Sequence, residues 1–223
     1  MRALLSSFVM SIALAAYAVP AHAQQVTKLP ESTKNAVGLE AGLDTSFIAR
    51  GSYTRRLELG VLRDERFVGR LTLPFVAPDL SDWAIDLGAQ ATVVSAGNLR
   101  LAILAGPLVK NTSNHLYDAT AFGIGATALF GYEGTRWGLS GELSHEQILG
   151  TWLRHSDLYR DTAFPDAKDG LYATTGSSTR AGLRGGFRVG AVELSARAGT
   201  GGTGYFRPAN PPFFFTLGAA YAF

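Results

Sequence analysis

Arg180, Arg184 and Arg188 recur every fourth residue, and Arg197 follows Glu193 by four. In an extended strand, residues an even number apart share a face. If the chain turns at Gly190–Ala191, residues whose numbers sum to 381 stand opposite each other. Arg188 then opposes Glu193, a cross-strand ion pair. Arg184 opposes Arg197, which is repulsive unless a carboxylate bridges the two. Glu142 and Glu146, on one face of the preceding strand, can supply it. Across the first short turn, the same reasoning sets Glu58 against Arg70. This charge set supports either of two chemistries: a structural network of paired ions, or an arginine ladder that guides anions.

Nucleophilic chemistry has less support. Ser144-His145-Glu146 has triad residue types, but neighbours in a strand point to opposite faces, so His145 faces away from both partners. The other histidines beyond residue 23 are His115 and His155. The stretch 148–172 holds Trp152, Asp157, Tyr159, Asp161, Asp166 and Asp169 without a recognised metal-ligand spacing. It reads as a polar surface loop with turns at Pro165-Asp166 and Asp169-Gly170, able to contact a surface partner. The glycines from Gly199 to Gly204 open no helix and so cradle no phosphate. No catalytic residue, cofactor or metal is expected.

The elements that must position these residues are strands. From Ala36 onward, apolar residues alternate with small or polar ones in ten segments: 36–44, 49–61, 66–76, 83–95, 99–109, 118–132, 136–147, 173–189, 192–200 and 211–223. Short connections (62–65, 96–98, 133–135, 190–191) alternate with longer ones (45–48, 77–82, 110–117, 148–172, 201–210). Arg55 fits badly, falling between Tyr53 and Leu57 on an apolar face. A bulge or a place at the rim would resolve it. The first two segments are the least distinct, and eight strands is the alternative count.

Residues 1–23 read as a cleaved secretory signal: Arg2, an apolar run, then Ala21-His22-Ala23 before Gln24. Residues 24–35 form a short polar tail. Without the leader the net charge is +1, which argues against a nucleic-acid partner. There is no cysteine, so an exported chain needs another source of stability, such as a closed sheet. The longest apolar run beyond the leader, Leu101–Val109, is too short for a membrane helix.

Phe215, Leu217, Ala219, Tyr221 and Phe223 end the chain in alternation with a terminal aromatic. With the leader and the strand pattern, they make residues 36–223 resemble a small bacterial outer-membrane β-barrel. The resemblance implies an all-β, transmembrane, antiparallel up-and-down barrel in a Gram-negative cell envelope, with short periplasmic turns and longer external loops. It implies that the five terminal residues are the signal read by the outer-membrane assembly machinery, and that the outer face meets outer-membrane lipid. Aromatics near strand ends fit the interfacial girdles of such barrels. A soluble β-sandwich shares the periodicity but not the terminal Phe.

The barrels of this kind that deacylate lipid A carry His and Ser two apart on one face, whereas Gln147 stands two beyond His145; the paired acidic motif of the protease barrels is also missing. The expectation is a non-enzymatic barrel with a structural or surface-interaction role and a side-chain-filled polar lumen. A narrow pore for small polar or anionic solutes is the first alternative, since Gly123, Gly125, Gly182, Gly186, Gly218 and Ala220 leave space inside. A lipid-modifying enzyme is the second.

Overall fold

Alternation of side chains commits each strand to two faces, and hydrogen bonding commits each strand to two neighbours. The only way to satisfy both without an edge is closure. The computed structural model describes residues 33–44, 46–74, 82–203 and 207–223. It is a closed antiparallel barrel of ten strands: β1 (Asn35–Asp44), β2 (Ser46–Arg56), β3 (Arg63–Pro74), β4 (Trp83–Ala96), β5 (Leu99–Ser113), β6 (Tyr117–Glu133), β7 (Trp137–His155), β8 (Gly170–Val189), β9 (Val192–Thr203) and β10 (Arg207–Ala222). One short helix, α1 (Asp157–Thr162), lies between β7 and β8. The expected leader and nearly all of the polar tail lie outside the described residues.

Each strand pairs with its neighbours in sequence, and β1 closes against β10. Asn35 and Phe223 exchange both backbone hydrogen bonds at 2.9 Å, so the last residue is fixed in the ladder. Both ends of the described chain therefore lie at one end of the barrel, here the terminus end. Tight turns at that end use glycine where φ must be positive, at Gly97 (61°) and Gly190 (60°).

The β2–β3 turn is built differently. The carboxylate of Glu65 accepts backbone N–H bonds from Leu59, Gly60, Val61 and Leu62 at 2.8–3.1 Å. One side chain thus satisfies four donors that the sheet leaves over. The segment 57–61, expected as the end of a strand, is this turn.

The two faces sort as the alternation requires. Leu39, Leu71, Leu87, Ile124, Leu143, Leu183, Leu194 and Leu217 are exposed on the outside. Near the terminus end the outer face carries Tyr53, Phe67, Trp137, Phe187, Tyr221 and Phe223, with Tyr132 stacked on Trp137 at 4.3 Å. Arg55 is exposed one residue before the end of β2 and pairs with Asn35 and Phe67 with no bulge. It therefore sits at the rim, where its charge reaches polar surroundings.

The connections are less regular than the sequence pattern suggests. At the far end, residue 45 alone separates β1 from β2, and 114–116 separate β5 from β6, whereas 57–62 form a longer turn at the terminus end. The cause is strand length. Strands β1–β3 have 10, 11 and 12 residues, but β6, β7 and β8 have 17, 19 and 20. The barrel has one tall wall. Most of the ends of the expected loop 148–172 belong to it: Ile148–His155 continue β7, Gly170–Tyr172 begin β8, and only 156–169 connect them.

A register shift marks where the tall wall leaves the regular barrel. β7 and β8 slip between Ile148 and Gly150, opposite Gly176 and Ala173, and Thr174 adopts φ 52°. Below the slip Glu142, Ser144, Glu146 and Ile148 are buried. Above it Trp152 and Arg154 are exposed and His155 is buried. A bulge thus exchanges the two faces within one strand.

A sheet with no free edge resists detergent while unheated. The protein is expected to migrate differently on SDS gels before and after boiling; identical migration would contradict closure.

Candidate functional site

Charged side chains converge in the interior. Arg50, Arg66, Arg70, Lys110, Arg180, Arg184, Arg188 and Arg197 are buried there, as are Glu40, Asp44, Asp86, Glu142, Glu146 and Glu193. Each sits on the inner parity of its strand. A buried ion is tolerated only when paired and hydrogen-bonded, and the pairs form three levels.

The middle level centres on Glu142 of β7. Arg197 Nε donates to its Oε2 at 2.9 Å and Arg197 Nη2 to its Oε1, a bidentate pair. Arg184 Nη2 lies 3.2 Å from the same carboxylate. Arg184 and Arg197 are directly opposite in the β8–β9 ladder, so Glu142 bridges two facing guanidiniums. Nearer the terminus end, beside the Gly190 turn, Arg188 opposes Glu193 and donates to it at 3.0 Å. Arg70 stands in register with Asp86.

The level toward the far end joins strands across the lumen. Arg50 is fully buried. It donates to Thr72 at 2.9 Å and reaches Glu40 at 3.3 Å and Asp44 at 3.5 Å. Arg180 of β8 pairs with the same Asp44 of β1. Glu146 does not join Arg184 and Arg197. It accepts from Lys110 at 2.7 Å, two strands away, because the intervening β6 offers only the small Gly123 and Gly125.

At the terminus end, Arg66 and Arg100 share Asp64 and Glu133. Arg66 Nη2 is 3.2 Å from Glu133, Arg100 Nη1 is 3.2 Å from Glu133 and 3.3 Å from Asp64, and Arg66 also pairs with Asp64. Two cations and two anions close this mouth. Glu58 takes no part in the lumen: it lies on the exposed turn and pairs with Lys34 at 3.0 Å. The longer turn moves Ser52 into the position opposite Arg70.

The small interior residues do not leave an open channel where they face Phe214. This ring is 3% exposed and lies across β9 and β8. A Cβ on Gly199 or Gly182 would come within 2.5 and 2.8 Å of its Cζ, so these glycines are the floor on which it rests. Arg197 and Arg180 hold their guanidiniums 4.4 and 5.4 Å from its centre, a double cation–π contact. One aromatic thus supports two of the arginines that would otherwise form an open ladder.

Sequence parity placed Arg70, Glu142, Glu146, Arg180, Arg184, Arg188, Glu193 and Arg197 on the inner face. It could not identify Arg50, Asp44, Lys110 or Phe214 as network members, because their partners lie across the lumen and sequence spacing does not encode that distance. The terminus-end quartet was missed for the same reason.

The Ser144-His145-Glu146 run divides between faces: Ser144 and Glu146 are buried, His145 is exposed. In the far-end connection, Ser156 caps α1 by accepting from Tyr159 N at 3.1 Å. Asp169 accepts from His155 N at 2.8 Å, contacts His155 Nδ1 at 3.1 Å and pairs with Arg160 at 2.7 Å. The His155 backbone N–H, the His155 ring and Arg160 together hold the Asp169 carboxyl down at about 2. Among the described residues no group of three or more His, Cys, Asp or Glu is placed to hold a metal ion.

Glu142→Gln removes the charge between Arg184 and Arg197. It is expected to cost about 3–5 kcal/mol in urea unfolding of the reconstituted barrel, the range for an uncompensated buried ion. Asp169 has its pKa lowered by folding, so its contribution is complete above the unfolded value of about 3.9 and is lost as pH falls from there through about 2. Amide exchange at Ala163 and Phe164, corrected for intrinsic rate, is expected to lose protection in that window and not between pH 7 and 5.

No family model matches the chain, and no curated protein sequence matches it. Among solved structures it is similar to the outer membrane protease OmpT from Escherichia coli, with a TM-score of 0.50 at 9% identity over 89% of this chain and 99% of that one. At that identity the likeness shows the fold alone: a closed antiparallel β-barrel shared with a protein of the outer membrane.

Proposed function

We propose that the chain is an outer-membrane β-barrel with a structural and surface-interaction role, whose polar lumen is held shut by its own side chains. The observation that carries this reading is the burial of the lumen charges. Arg50, Arg66, Asp44 and Glu193 are 0–1% exposed, whereas the lining of a water-filled channel is wet. Their cross-lumen pairs tie β1 to β8, β5 to β7 and β3 to β6.

Membrane placement is supported by the apolar outer face, by the aromatic residues near the terminus end and by the barrel likeness. The tall wall supports surface interaction: Trp152 and Leu171 are each 58% exposed beyond the register slip. Single exposed apolar residues need no explanation, but a paired Trp–Leu step above the barrel body offers a contact surface.

A pore for small anions is the alternative. It is weakened by pairing: Glu142 is engaged by Arg184 and Arg197, Glu193 by Arg188, Glu146 by Lys110, and Asp44 by Arg50 and Arg180. A catalytic role has the neighbour's protease description and the His155–Asp169 pair behind it. We assign that pair to loop structure, since Asp169 is already engaged by the His155 backbone and Arg160.

Planar-bilayer recording tests the closed lumen. The wild-type protein is expected to give no steady steps. Phe214→Ala combined with Glu142→Gln is expected to open an anion-selective leak, because it removes the central ring and one carboxylate. Steady anion-selective steps from the wild type would overturn the closed reading in favour of the pore.

A further inference from the structure

The β2–β3 turn stands off the mouth of the barrel. Between it and the ends of β4 and β5 lies a cleft of about 470 Å³, inside the range of small-molecule sites, roughly 300–1,000 Å³. Thr92 and Arg100 form the opposite wall and belong to the inner face. The cleft therefore opens on the lumen side of the turn, at the terminus end. Leu57 and Leu62 give the turn's own side an apolar surface.

A bulge aims one cation into this cleft. Arg63 pairs with Thr92 and Arg66 with Gln90, a step of three residues on β3 against two on β4. Counted back from Phe67 and Leu71, both exposed on the outside, Arg63 would share their outward parity. The extra residue turns it to the inner side, opposite Thr92. Asp64, within the bulge, takes φ 52°. That is a strained conformation for a residue with a side chain, and such strain collects at ligand clamps.

The carboxylates around the cleft are already engaged. Glu65 accepts four backbone N–H bonds, Asp64 is shared by Arg66 and Arg100, and Glu58 pairs with Lys34. Arg63 is met by a neutral group: its Nη1 donates to the Ser95 hydroxyl at 3.1 Å, and among the described residues it forms no ion pair. It is exposed, so its other donors face the cleft. Arg56 lines the same cleft and adds a second positive charge.

We propose that this cleft binds a small water-borne organic anion, whose carboxylate or phosphate is held by Arg63 and whose apolar part rests on Leu57 and Leu62. A guanidinium presents parallel N–H donors to two oxygens of either group. The Ser95 hydroxyl fixes the guanidinium and the four N–H bonds to Glu65 fix the turn, so little freedom is lost on binding. The source is the aqueous phase and not a lipid headgroup, because the cleft opens away from the outer face. The site needs only the barrel and stands apart from the structural role proposed above.

The test places the protein in phosphatidylcholine nanodiscs and follows the backbone amides of Gly60, Leu62 and Gly97 by NMR, with Gly190 across the barrel as reference. N-acetyl-leucine and hexyl phosphate are the anionic probes, and leucinamide is the cationic control. Each anion is expected to shift the three cleft amides saturably and to leave Gly190 in place, whereas leucinamide is expected to shift none. Arg63→Gln is expected to weaken binding at least tenfold. Arg63→Lys, which keeps the charge but loses the planar fork, is expected to weaken it less. Leu62→Asp sets a fixed carboxylate beside Arg63 and is expected to abolish binding at the same probe concentrations. No saturable shift from either anion, equal shifts from leucinamide, or wild-type affinity in both Arg63→Gln and Leu62→Asp would each overturn the proposal. Shifts already present in phosphatidylglycerol nanodiscs without a probe would assign the cleft to lipid headgroups instead. The gel shift on boiling, measured on every variant, separates loss of binding from loss of the barrel.

Discussion

The ion set around Glu142 is the contact on which the rest of the interior depends. The two-residue turn between β8 and β9 brings Arg184 and Arg197 face to face, and no relaxation within the ladder can separate them. One carboxylate from the next strand turns that repulsion into two attractions. Arg197, fixed in this way, lies over Phe214, and Phe214 in turn supports Arg180, which reaches Asp44 on β1. Asp44 also meets Arg50. A chain of contacts thus runs from β7 through β9, β10 and β8 to the seam at β1 and β2. Desolvating each of these ions costs several kcal/mol, and a ring of alternating sign with bidentate geometry is the arrangement that offsets it best.

The tall wall follows a separate constraint. A strand that continues out of an apolar band into water no longer needs an apolar outer face. The register slip at Ile148–Gly150 and the left-handed Thr174 mark where the faces of the wall exchange. Above it, His155 turns inward to meet Asp169 while Trp152 turns outward. Without the slip, Trp152 would take the inner parity of Glu142 and Glu146.

The ten strands, their order of faces and the terminal pairing were legible in the sequence because a period of two is a local signal. The pairs Arg188–Glu193 and Arg184–Arg197 were legible for the same reason: a two-residue turn fixes register arithmetically. Arithmetic failed across the β2–β3 turn, because Glu65 draws four backbone donors around itself and lengthens the connection. Glu58 therefore sits on the surface and not opposite Arg70. The cross-lumen partners were illegible for a deeper reason. Lys110 and Glu146 are 36 residues apart on strands that do not touch, and only the curvature of the closed sheet brings them together. Gly182 shows the same limit: as sequence it suggested empty space, yet with Gly199 it is the seat of an aromatic ring.

Charge on the inner face also answers a question of specificity. If both faces of these strands were apolar, a one-residue slip in register would exchange inside and outside at little cost. Arg, Glu and Asp on the inner parity make every such slip expensive, because each would carry several unpaired ions to the outer face. The argument applies with most force to β8, which carries Arg180, Arg184 and Arg188, and least to β6, whose inner face is Gly123, Gly125, Thr127 and Leu129. On β6 the register must be held by its neighbours. Lys110 of β5 and Glu146 of β7 clasp each other across it, so a strand with no charge of its own between Asp118 and Glu133 is positioned by the pair that spans it.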